Sequence, residues 1–361
     1  MSMDIPRMLE DVNKEWLNEA LTTRFPGMKI ASAKVTDFLG HKQNKTRVHL
    51  EYEGNASPDY PKTVFVKGSF RDGPIGDEIL GMDTGNALEI PMYDEVLPDL
   101  DVKRPDCFYV HWDPNAWEGV LILEDLESKG VTFLKDRHYL DYGQAAAFID
   151  SMARFHGQWL SSPEFTEGGR FGPSSPIADR SVMVNREYLD HLVKPHRWDE
   201  SIAYPRGAAL PLRLRNADRM SVAYEQYKSI TSSVSRTIIH GDSHLGNLHM
   251  YPDGTAGWHD WCSRIEPWVN EFALFVVVNL DSLHRREWEK PLLARYLKVL
   301  GQRAEAPSFE EAWFFYRCAA IFPFLIWLGN GLWQPEEINT QNTVRAANAM
   351  LDHDTFGLLG L

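Results

Sequence analysis

The spacing of apolar residues changes near residue 124, and this change constrains the fold more than any other feature of the chain. Before it, a helix is predicted at 8–24, and short runs with alternating apolar side chains predict strands at 30–39, 46–52, 61–67, 107–111 and 119–123. After it, helical spacing prevails, beginning with an apolar stripe from Phe148 to Leu160. The pattern therefore predicts an α+β protein with a small β-rich first lobe and a larger, mostly helical second lobe.

A short polar segment separates the two patterns. Glu124-Asp125-Leu126-Glu127 follows the last predicted strand, and a chain of 361 residues is long enough for two lobes with separate cores. We place the lobes at 1–123 and 128–361, joined by 124–127. Within the second lobe, 196–207 is expected to be irregular, and helices are expected around 210–234, 272–283, 288–300 and 309–332.

Charge, cysteine usage and hydropathy narrow the class of protein. A net charge of −14 argues against a nucleic-acid partner, because phosphate backbones require basic patches. Cys107, Cys262 and Cys318 are far apart, which fits a reducing compartment. The N-terminus lacks the apolar core of a signal peptide, and the longest apolar run, Cys318 to Leu328, is about half a membrane span. We expect a cytoplasmic protein without a membrane partner.

The stretch from Ile239 to Asn247 is the strongest candidate for chemistry. It places Asp242 and Asn247 five positions apart on a loop. Two short apolar runs follow, separated by the turn Pro252-Asp253-Gly254-Thr255, and this pattern predicts a hairpin. The hairpin is expected to return Asp260 to the loop. Asp242 would then be free to meet a substrate, and Asn247 and Asp260 could share a cation.

A lysine and an acid in the first lobe complete the candidate set. Lys67 ends the predicted strand 61–67, and alternation places it on the face opposite Val66. Glu89 lies beside the apolar face of a short predicted helix, in which Pro91 is tolerated only in the first turn. Taken alone, Lys67 also fits a solvated strand edge. The loop 40–45, between the first two predicted strands, is rich in hydrogen-bond donors that could lie over phosphates, but it fits an ordinary hairpin loop as well.

Phosphoryl transfer requires positioning, Mg²⁺ and charge neutralisation rather than covalent catalysis. A lysine neutralises phosphate oxygens, a helix acid holds that lysine, an Asp accepts the proton of the acceptor, and hard oxygen ligands hold the metal. The chain supplies these groups in the order used by protein kinases: Lys67, Glu89, Asp242, Asn247 and Asp260.

The same residues carry a family resemblance. His240-Gly241-Asp242-Ser243-His244-Leu245-Gly246-Asn247 resembles the His-Gly-Asp-x-His-x-x-Asn loop of the aminoglycoside phosphotransferase and choline kinase superfamily, and His259-Asp260-Trp261 resembles its metal-binding motif. The stretch from Tyr251 to Thr255, followed by Asp260-Trp261 and Pro267-Trp268, is similar to bacterial relatives of the ecdysteroid-kinase-like group. The resemblance extends from roughly residue 30 to 330.

The resemblance implies a bilobal, protein-kinase-like fold and an enzyme that moves the γ-phosphate of ATP, with Mg²⁺, to a hydroxyl of a small molecule. It assigns Asp242 as catalytic base and Asn247 and Asp260 as Mg²⁺ ligands. It also implies phosphate binding by Lys67 paired with Glu89, and adenine binding by the backbone of a hinge running from Glu124 to Leu126.

Two departures from the family pattern concern neighbouring positions. Cys262 stands where relatives usually carry Gln or Glu, two places after the metal-binding Asp. Asn270-Glu271 stands where relatives commonly carry an Asp after Pro-Trp, and Glu271 is expected to take over its structural role.

Two other hypotheses remain open at this point. A metal-dependent hydrolase would use His240, Asp242 and His244 as ligands for zinc or manganese, but it would leave Lys67 and Glu89 without a role. A catalytically silent, kinase-like binding protein is the other. The sequence leaves the acceptor, the choice between ATP and GTP, and the oligomeric state undetermined.

Overall fold

The computed structural model describes residues 4–38, 45–70, 89–135, 139–175, 187–330 and 334–361. The chain forms two compact units. The first comprises Met1–Thr132 together with Trp258–Cys262, and the second comprises Phe133–Gly257 together with Ser263–Leu361. The predicted fold class is confirmed, because strands dominate the N-terminal region and helices dominate the C-terminal region.

The first unit is built on an antiparallel sheet. In the described part of the chain it has five strands, in the spatial order β1 (Ile30–Phe38), β2 (Lys45–Tyr52), β3 (Thr63–Gly68), β5 (Glu118–Glu124) and β4 (Cys107–Asp113). Each predicted strand is present. The first predicted hairpin loop falls at 40–44, outside the described residues.

One face of this sheet is covered by helix α1 (Lys14–Thr22). The helix begins after Asn13, whose side chain accepts a hydrogen bond from the backbone N–H of Trp16. Leu17 and Leu21 are fully buried in the cluster that contains Val66 of β3. Burial of each leucine side chain contributes about 1.5–3 kcal/mol, which fixes α1 on the Val66 face. Alternation along β3 then leaves Lys67 on the opposite face.

A short helical segment carries the predicted partner of Lys67. Glu89 precedes α2 (Met92–Glu95), for which Pro91 is the N-cap residue, as the tolerance of proline for helix starts predicts. Leu97–Asp99 adds a 3-10 turn. Leu88 and the start of the predicted helix lie outside the described residues.

The second unit is organised around a fully buried helix. Every residue of α8 (Trp268–Asn279) is buried, as expected for a helix that is apolar on all sides. The other helices are α3 (Tyr142–Trp159), α4 (Glu187–Leu192), α5 (Pro195–Ala203), α6 (Pro205–Ala208), α7 (Ala217–Thr231), α9 (Ser282–Leu300), α10 (Phe309–Ala319), α11 (Ile321–Gly329), α12 (Glu336–Asp352) and α13 (Thr355–Leu358). The expectation of irregular structure at 196–207 is wrong, because α5 and α6 occupy it.

Short strands surround the candidate loop. Strand β7 (Arg236–Ile239) pairs with β10 (Arg264–Pro267), and β8 (Leu248–Met250) lies between β6 (Thr132–Leu134) and β9 (Ala256–Trp258). The predicted hairpin is therefore confirmed as β8–β9. A Cβ atom at Gly257 would lie 2.2 Å from Nε2 of His249, so only glycine lets the two strands approach this closely.

The aromatic segment of the second unit belongs to its core. Among the described residues, one helical run, Phe309–Gly329, is long and apolar enough to cross a membrane by length and composition. Of its most apolar window, 67% is buried inside the protein, which is the behaviour of a core helix.

Candidate active site

Lys67 is the centre of a buried ionic cluster in the first unit. Its Nζ atom donates hydrogen bonds to both carboxylate oxygens of Glu89, each at 2.7 Å, and to Oδ1 of Asp260. Lys67 is 2% exposed and Glu89 is 1% exposed. The structure therefore brings together three of the residues that the sequence singled out, and a buried charge needs such partners.

A second lysine belongs to the same cluster. Register places Lys45 of β2 directly opposite Lys67 of β3, and Nζ of Lys45 lies 3.4 Å from Oδ2 of Asp260. Like charges directly opposite each other destabilise a strand pair. Glu89 and Asp260 offset the two positive charges. Sequence analysis had placed Lys45 only in a donor-rich loop, because its facing partner depends on the register.

The opposite charges of this cluster favour the ionised forms of Lys67 and Asp260. Burial by itself lowers the pKa of Lys67, but the charges of Asp260 and Glu89 outweigh burial and raise it. Burial likewise raises the pKa of Asp260, and the nearby Lys45 and Lys67 ammonium groups bring it well below its usual range.

The backbone at Asp260 is unusual. Its φ of 56° lies in the left-handed region, which a residue other than glycine seldom adopts. Residues held in this region cost free energy, and they are concentrated at functional sites. The strain at Asp260 therefore supports a functional role for its carboxylate.

The candidate loop of the second unit fixes Asp242 against Asn247. Nδ2 of Asn247 donates to the backbone carbonyl of Asp242 at 2.8 Å and to its carboxylate at 2.9 Å. Gly241, with φ of 90°, supplies the conformation that precedes Asp242. The Asp242 side chain remains 41% exposed, so a substrate can reach it.

Both histidines of the loop form bonds within it. Nδ1 of His240 accepts the backbone N–H of Asp242 at 3.2 Å, and Nδ1 of His244 accepts that of Gly246 at 3.0 Å. Among the described residues, no group of three or more His, Cys, Asp or Glu side chains is placed to hold a metal ion. These contacts favour a loop-shaping role for the two rings.

Neighbouring side chains keep Asp242 ionised. Burial tends to raise the pKa of its carboxyl group, but His244, through its charge and a hydrogen bond, outweighs this effect together with His240 and Arg264. The pKa of Asp242 is therefore lowered, and the side chain is a carboxylate at neutral pH.

Glu271 anchors the start of the loop. Its carboxylate accepts the backbone N–H groups of His240 at 2.8 Å and Gly241 at 3.0 Å. The same carboxylate is 2.8 Å from Nε2 of His156, whose Nδ1 atom is 2.7 Å from the hydroxyl of Tyr296. His156 is thus a hydrogen-bonded core histidine, and Glu271 provides the structural contact expected of the acid after Pro-Trp.

The predicted adenine-binding segment begins at the last residue of β5. The backbone N–H of Glu124 donates to the carbonyl of Asp106 at 2.8 Å, and Leu126 is buried in a 3-10 turn. Asp125 accepts a hydrogen bond from Arg47 at 2.7 Å, which ties the segment to β2. Cys262, two residues after Asp260, is partly exposed.

Each unit, taken by itself, carries groups of the kind that bind metal ions or phosphate. Asp260 and Asp242 offer carboxylate oxygens, and Asn247 keeps its amide oxygen after donating through nitrogen. These are the hard ligands that Mg²⁺ prefers. Lys67 and Lys45 are the cations that phosphate oxygens require.

Comparison with known proteins shows which family and which folds the chain is similar to. Residues 44–162 match the model of the Ecdysteroid kinase-like family. No curated protein matches the chain in sequence. Choline kinase from Cryptosporidium parvum Iowa II is 13% identical with a TM-score of 0.53, over 93% of this chain and 92% of that chain.

Two further solved structures are similar along most of the chain. Plasmodium vivax ethanolamine kinase is 11% identical with a TM-score of 0.50, over 89% of this chain and 81% of that chain. A GDP complex of aminoglycoside 2'-phosphotransferase-IIIa is 13% identical with a TM-score of 0.49, over 94% and 99%. The similarity to the choline kinase and ethanolamine kinase structures shows a kinase-like α+β fold. The predicted similarity to ecdysteroid-kinase-like proteins is confirmed by the match over residues 44–162.

Proposed function

We propose that this protein is an ATP- and Mg²⁺-dependent small-molecule kinase that moves the γ-phosphate to a hydroxyl group. The observation that carries the proposal is the buried cluster in which Lys67 binds both Glu89 and Asp260. A lysine held between a helix acid and a metal-binding acid is the arrangement that kinases use for nucleotide phosphates. The kinase-like fold supports the same class of reaction.

The candidate residues of the first unit would take part in nucleotide binding. Lys67, oriented by Glu89, would neutralise the α- and β-phosphates. The backbone of Glu124 and Leu126 would bind the adenine. Mg²⁺, when bound, neutralises charge on the transferring phosphoryl group, and Asp260 and Asn247 would be its protein ligands.

Asp242 would act on the acceptor. Its ionised and half-exposed carboxylate is suited to orient a hydroxyl and to accept its proton as the oxygen attacks phosphorus. The bond from Asn247 to Asp242 would hold that carboxylate in one orientation. The acceptor is a small molecule. A net charge of −14 favours a cationic one. We further propose a cytoplasmic location.

The test combines a substrate screen with a variant. The protein is incubated with ATP, Mg²⁺ and a set of hydroxylated metabolites, and products are detected by the mass of one added phosphate. For the acceptor found, Asp242→Asn should lower turnover on the order of 10²–10⁴-fold and leave ATP affinity near that of the native protein, because only the base is removed.

The matched control is Asp199→Asn, which removes an exposed carboxylate that forms no ion pair with a described residue. It should keep full activity. Unchanged turnover in Asp242→Asn would refute the assignment of the base. A protein that binds ATP but phosphorylates no acceptor would instead favour the catalytically silent hypothesis, and zinc-dependent hydrolysis without ATP binding would favour the hydrolase.

A further inference from the structure

Two buried polar side chains of the second unit reach the candidate loop from outside it. Arg264 is the first residue of β10, and Asn279 is the last residue of α8. Both side chains belong to the same compact unit as Asp242. Because polar groups are costly to bury, a buried arginine and a buried asparagine at one loop need an explanation in what they bind.

Strand register brings Arg264 to the loop. It pairs with Ile239, the last residue of β7, so its long side chain can reach the peptide groups that follow this strand. Nη2 of Arg264 donates to the backbone carbonyl of Gly241 at 2.6 Å, and this hydrogen bond is buried. The guanidinium group therefore holds the residue immediately before Asp242.

This bond fixes one of the two peptide planes that flank the Cα atom of Asp242. A peptide unit is planar, so its C=O and N–H groups turn together. The carbonyl of Gly241 is held by Arg264, and the N–H of Asp242 in the same plane donates to Nδ1 of His240 at 3.2 Å. In the next plane, the carbonyl of Asp242 accepts a hydrogen bond from Nδ2 of Asn247 at 2.8 Å. With both planes fixed, the direction in which the side chain of Asp242 leaves the backbone is fixed as well.

Asn279 holds the plane that follows these two. Its Nδ2 atom donates to the backbone carbonyl of Ser243 at 2.8 Å, again in a buried hydrogen bond. The N–H group of the same plane belongs to His244 and donates to the carbonyl of Asp242 at 2.9 Å. Asn279 therefore acts on Asp242 through one intervening peptide. Whereas Glu271 binds N–H groups at the start of the loop, Arg264 and Asn279 bind carbonyls on either side of Asp242.

We propose that Arg264 and Asn279 are positioning residues of the phosphoryl transfer, which hold the loop so that the carboxylate of Asp242 meets the acceptor hydroxyl. The inference rests on the proposed function, because it takes Asp242 as the base. Catalytic groups must stay within about 0.5 Å of their productive positions, and a displacement of about 1 Å can cost on the order of 10²-fold in rate. Side chains anchored on a helix and a strand supply such a restraint.

The first test compares two asparagines of the same helix. Asn279→Leu removes the donor to the loop and keeps the size of the side chain. Asn270→Leu is the matched control, because Asn270 is equally buried on α8 but bonds Tyr227 and Glu266 instead of the loop. With the acceptor found by the screen, only Asn279→Leu should lower kcat, by about 10- to 100-fold. Its affinity for ATP should stay that of the native protein.

A second set of variants tests Arg264. Arg264→Met keeps an unbranched side chain that donates no hydrogen bond, and it should lower kcat by about 10- to 100-fold. Arg264→Lys keeps a charged donor and should recover part of that loss. Arg236→Met is the control and should keep the kcat of the native protein. Arg236 lies in the same strand pair and donates to the backbone carbonyl of Ile265, outside the loop.

Hydrogen exchange gives a readout that needs no acceptor. Amide exchange in the segment 239–247 of the whole protein is followed by mass spectrometry. Asn279→Leu and Arg264→Met should each speed exchange in this segment by about tenfold, because a lost hydrogen bond makes local opening easier. Asn270→Leu and Arg236→Met should leave it at the native rate.

The two readouts separate the failure of this inference from the failure of the proposed function. If the native protein phosphorylates no acceptor, the proposed function fails, and faster exchange in Asn279→Leu and Arg264→Met would still show that these residues hold the loop. If the native protein is active and both variants keep the kcat of their controls, the positioning role is refuted. Exchange at the native rate in both variants refutes it as well.

Discussion

Lys45 shows at the level of a single residue what the sequence could not supply. It belongs to a polar run in the sequence, yet strand pairing sets it opposite Lys67 and against Asp260. Two lysines in this position need negative charge between them. If Mg²⁺ takes the carboxylate of Asp260, nucleotide phosphate is the anion that would replace it beside both lysines. We therefore expect Lys45 to be a second phosphate-binding cation of the proposed kinase.

Replacing Lys45 tests this role. Lys45→Met should weaken ADP binding by about 10- to 100-fold, the value of one hydrogen bond from a charged donor, and should leave the affinity for adenosine unchanged. Calorimetric titration with ADP and with adenosine measures both. The comparison separates contact with phosphate from a general effect on the fold.

Lys62→Met is the control for that substitution, because Lys62 is an exposed lysine next to β3. Its affinity for ADP should equal that of the native protein. If Lys45→Met binds ADP as tightly as the control does, Lys45 only balances the charge of Asp260.

At the scale of elements, alternation and helical spacing predicted most of the fold, and they failed where tertiary contacts decide. The strands of the first unit and α3 follow from their own apolar pattern. In contrast, α5 and α6 lie in the segment that was expected to be irregular, and both begin at prolines, which the first helical turn tolerates. Strand β10 ends at Pro267 and is a strand because it pairs with β7. Pairing of this kind is not visible in a local pattern.

The contact between α8 and the candidate loop leads to a prediction about stability. Glu271 accepts backbone N–H groups of the loop and also bonds His156, and all of these groups are buried. A glutamine side chain has an NH₂ group in place of one carboxylate oxygen, so this group would face an N–H group that now donates to Glu271. Glu271→Gln should therefore lower the free energy of unfolding by about 3 kcal/mol near neutral pH, as expected when a buried charged partner is removed. Urea denaturation measures the loss.

The pH dependence of that loss has a definite sign. Burial raises the pKa of Glu271, but His156 and the loop outweigh it and bring the pKa below its usual 4.5. A carboxyl group with a lowered pKa stabilises the fold above its unfolded pKa, and this contribution disappears as the pH falls through the folded value. The difference from native protein should thus be constant above about pH 5 and shrink below about pH 4. Glu287→Gln, at an exposed position on α9, should have the same unfolding free energy as the native protein at every pH. If the loss caused by Glu271→Gln grows as the pH falls, the lowered pKa of Glu271 is contradicted.

At the scale of the whole molecule, the candidate residues are divided between the two compact units. Lys67, Glu89 and Asp260 belong to the first unit, whereas Asp242 and Asn247 belong to the second. The matched family region, 44–162, ends before the loop of the second unit, although the structural similarity spans most of the chain. The order of the motifs in the sequence predicted that these five residues act together. The geometry of the Lys67 cluster supports this prediction for the three residues of the first unit.

Binding of nucleotide and metal should therefore appear in the stability of the whole protein. A ligand that binds only the folded state at 100 times its dissociation constant stabilises that state by about 2.7 kcal/mol. For the native protein we expect a non-hydrolysable ATP analogue to give a larger increase in unfolding free energy with Mg²⁺ than without it.

Asp260→Ala removes a proposed metal ligand. In this variant, the increase in unfolding free energy that the analogue causes should therefore be the same with and without Mg²⁺. Each comparison is made within one protein, which cancels the effect of the substitution on the Lys67 cluster, and Asp199→Ala should behave as the native protein does. If the analogue raises the unfolding free energy of the native protein equally with and without Mg²⁺, Asp260 balances the charges of Lys67 and Lys45 and does not bind a metal ion.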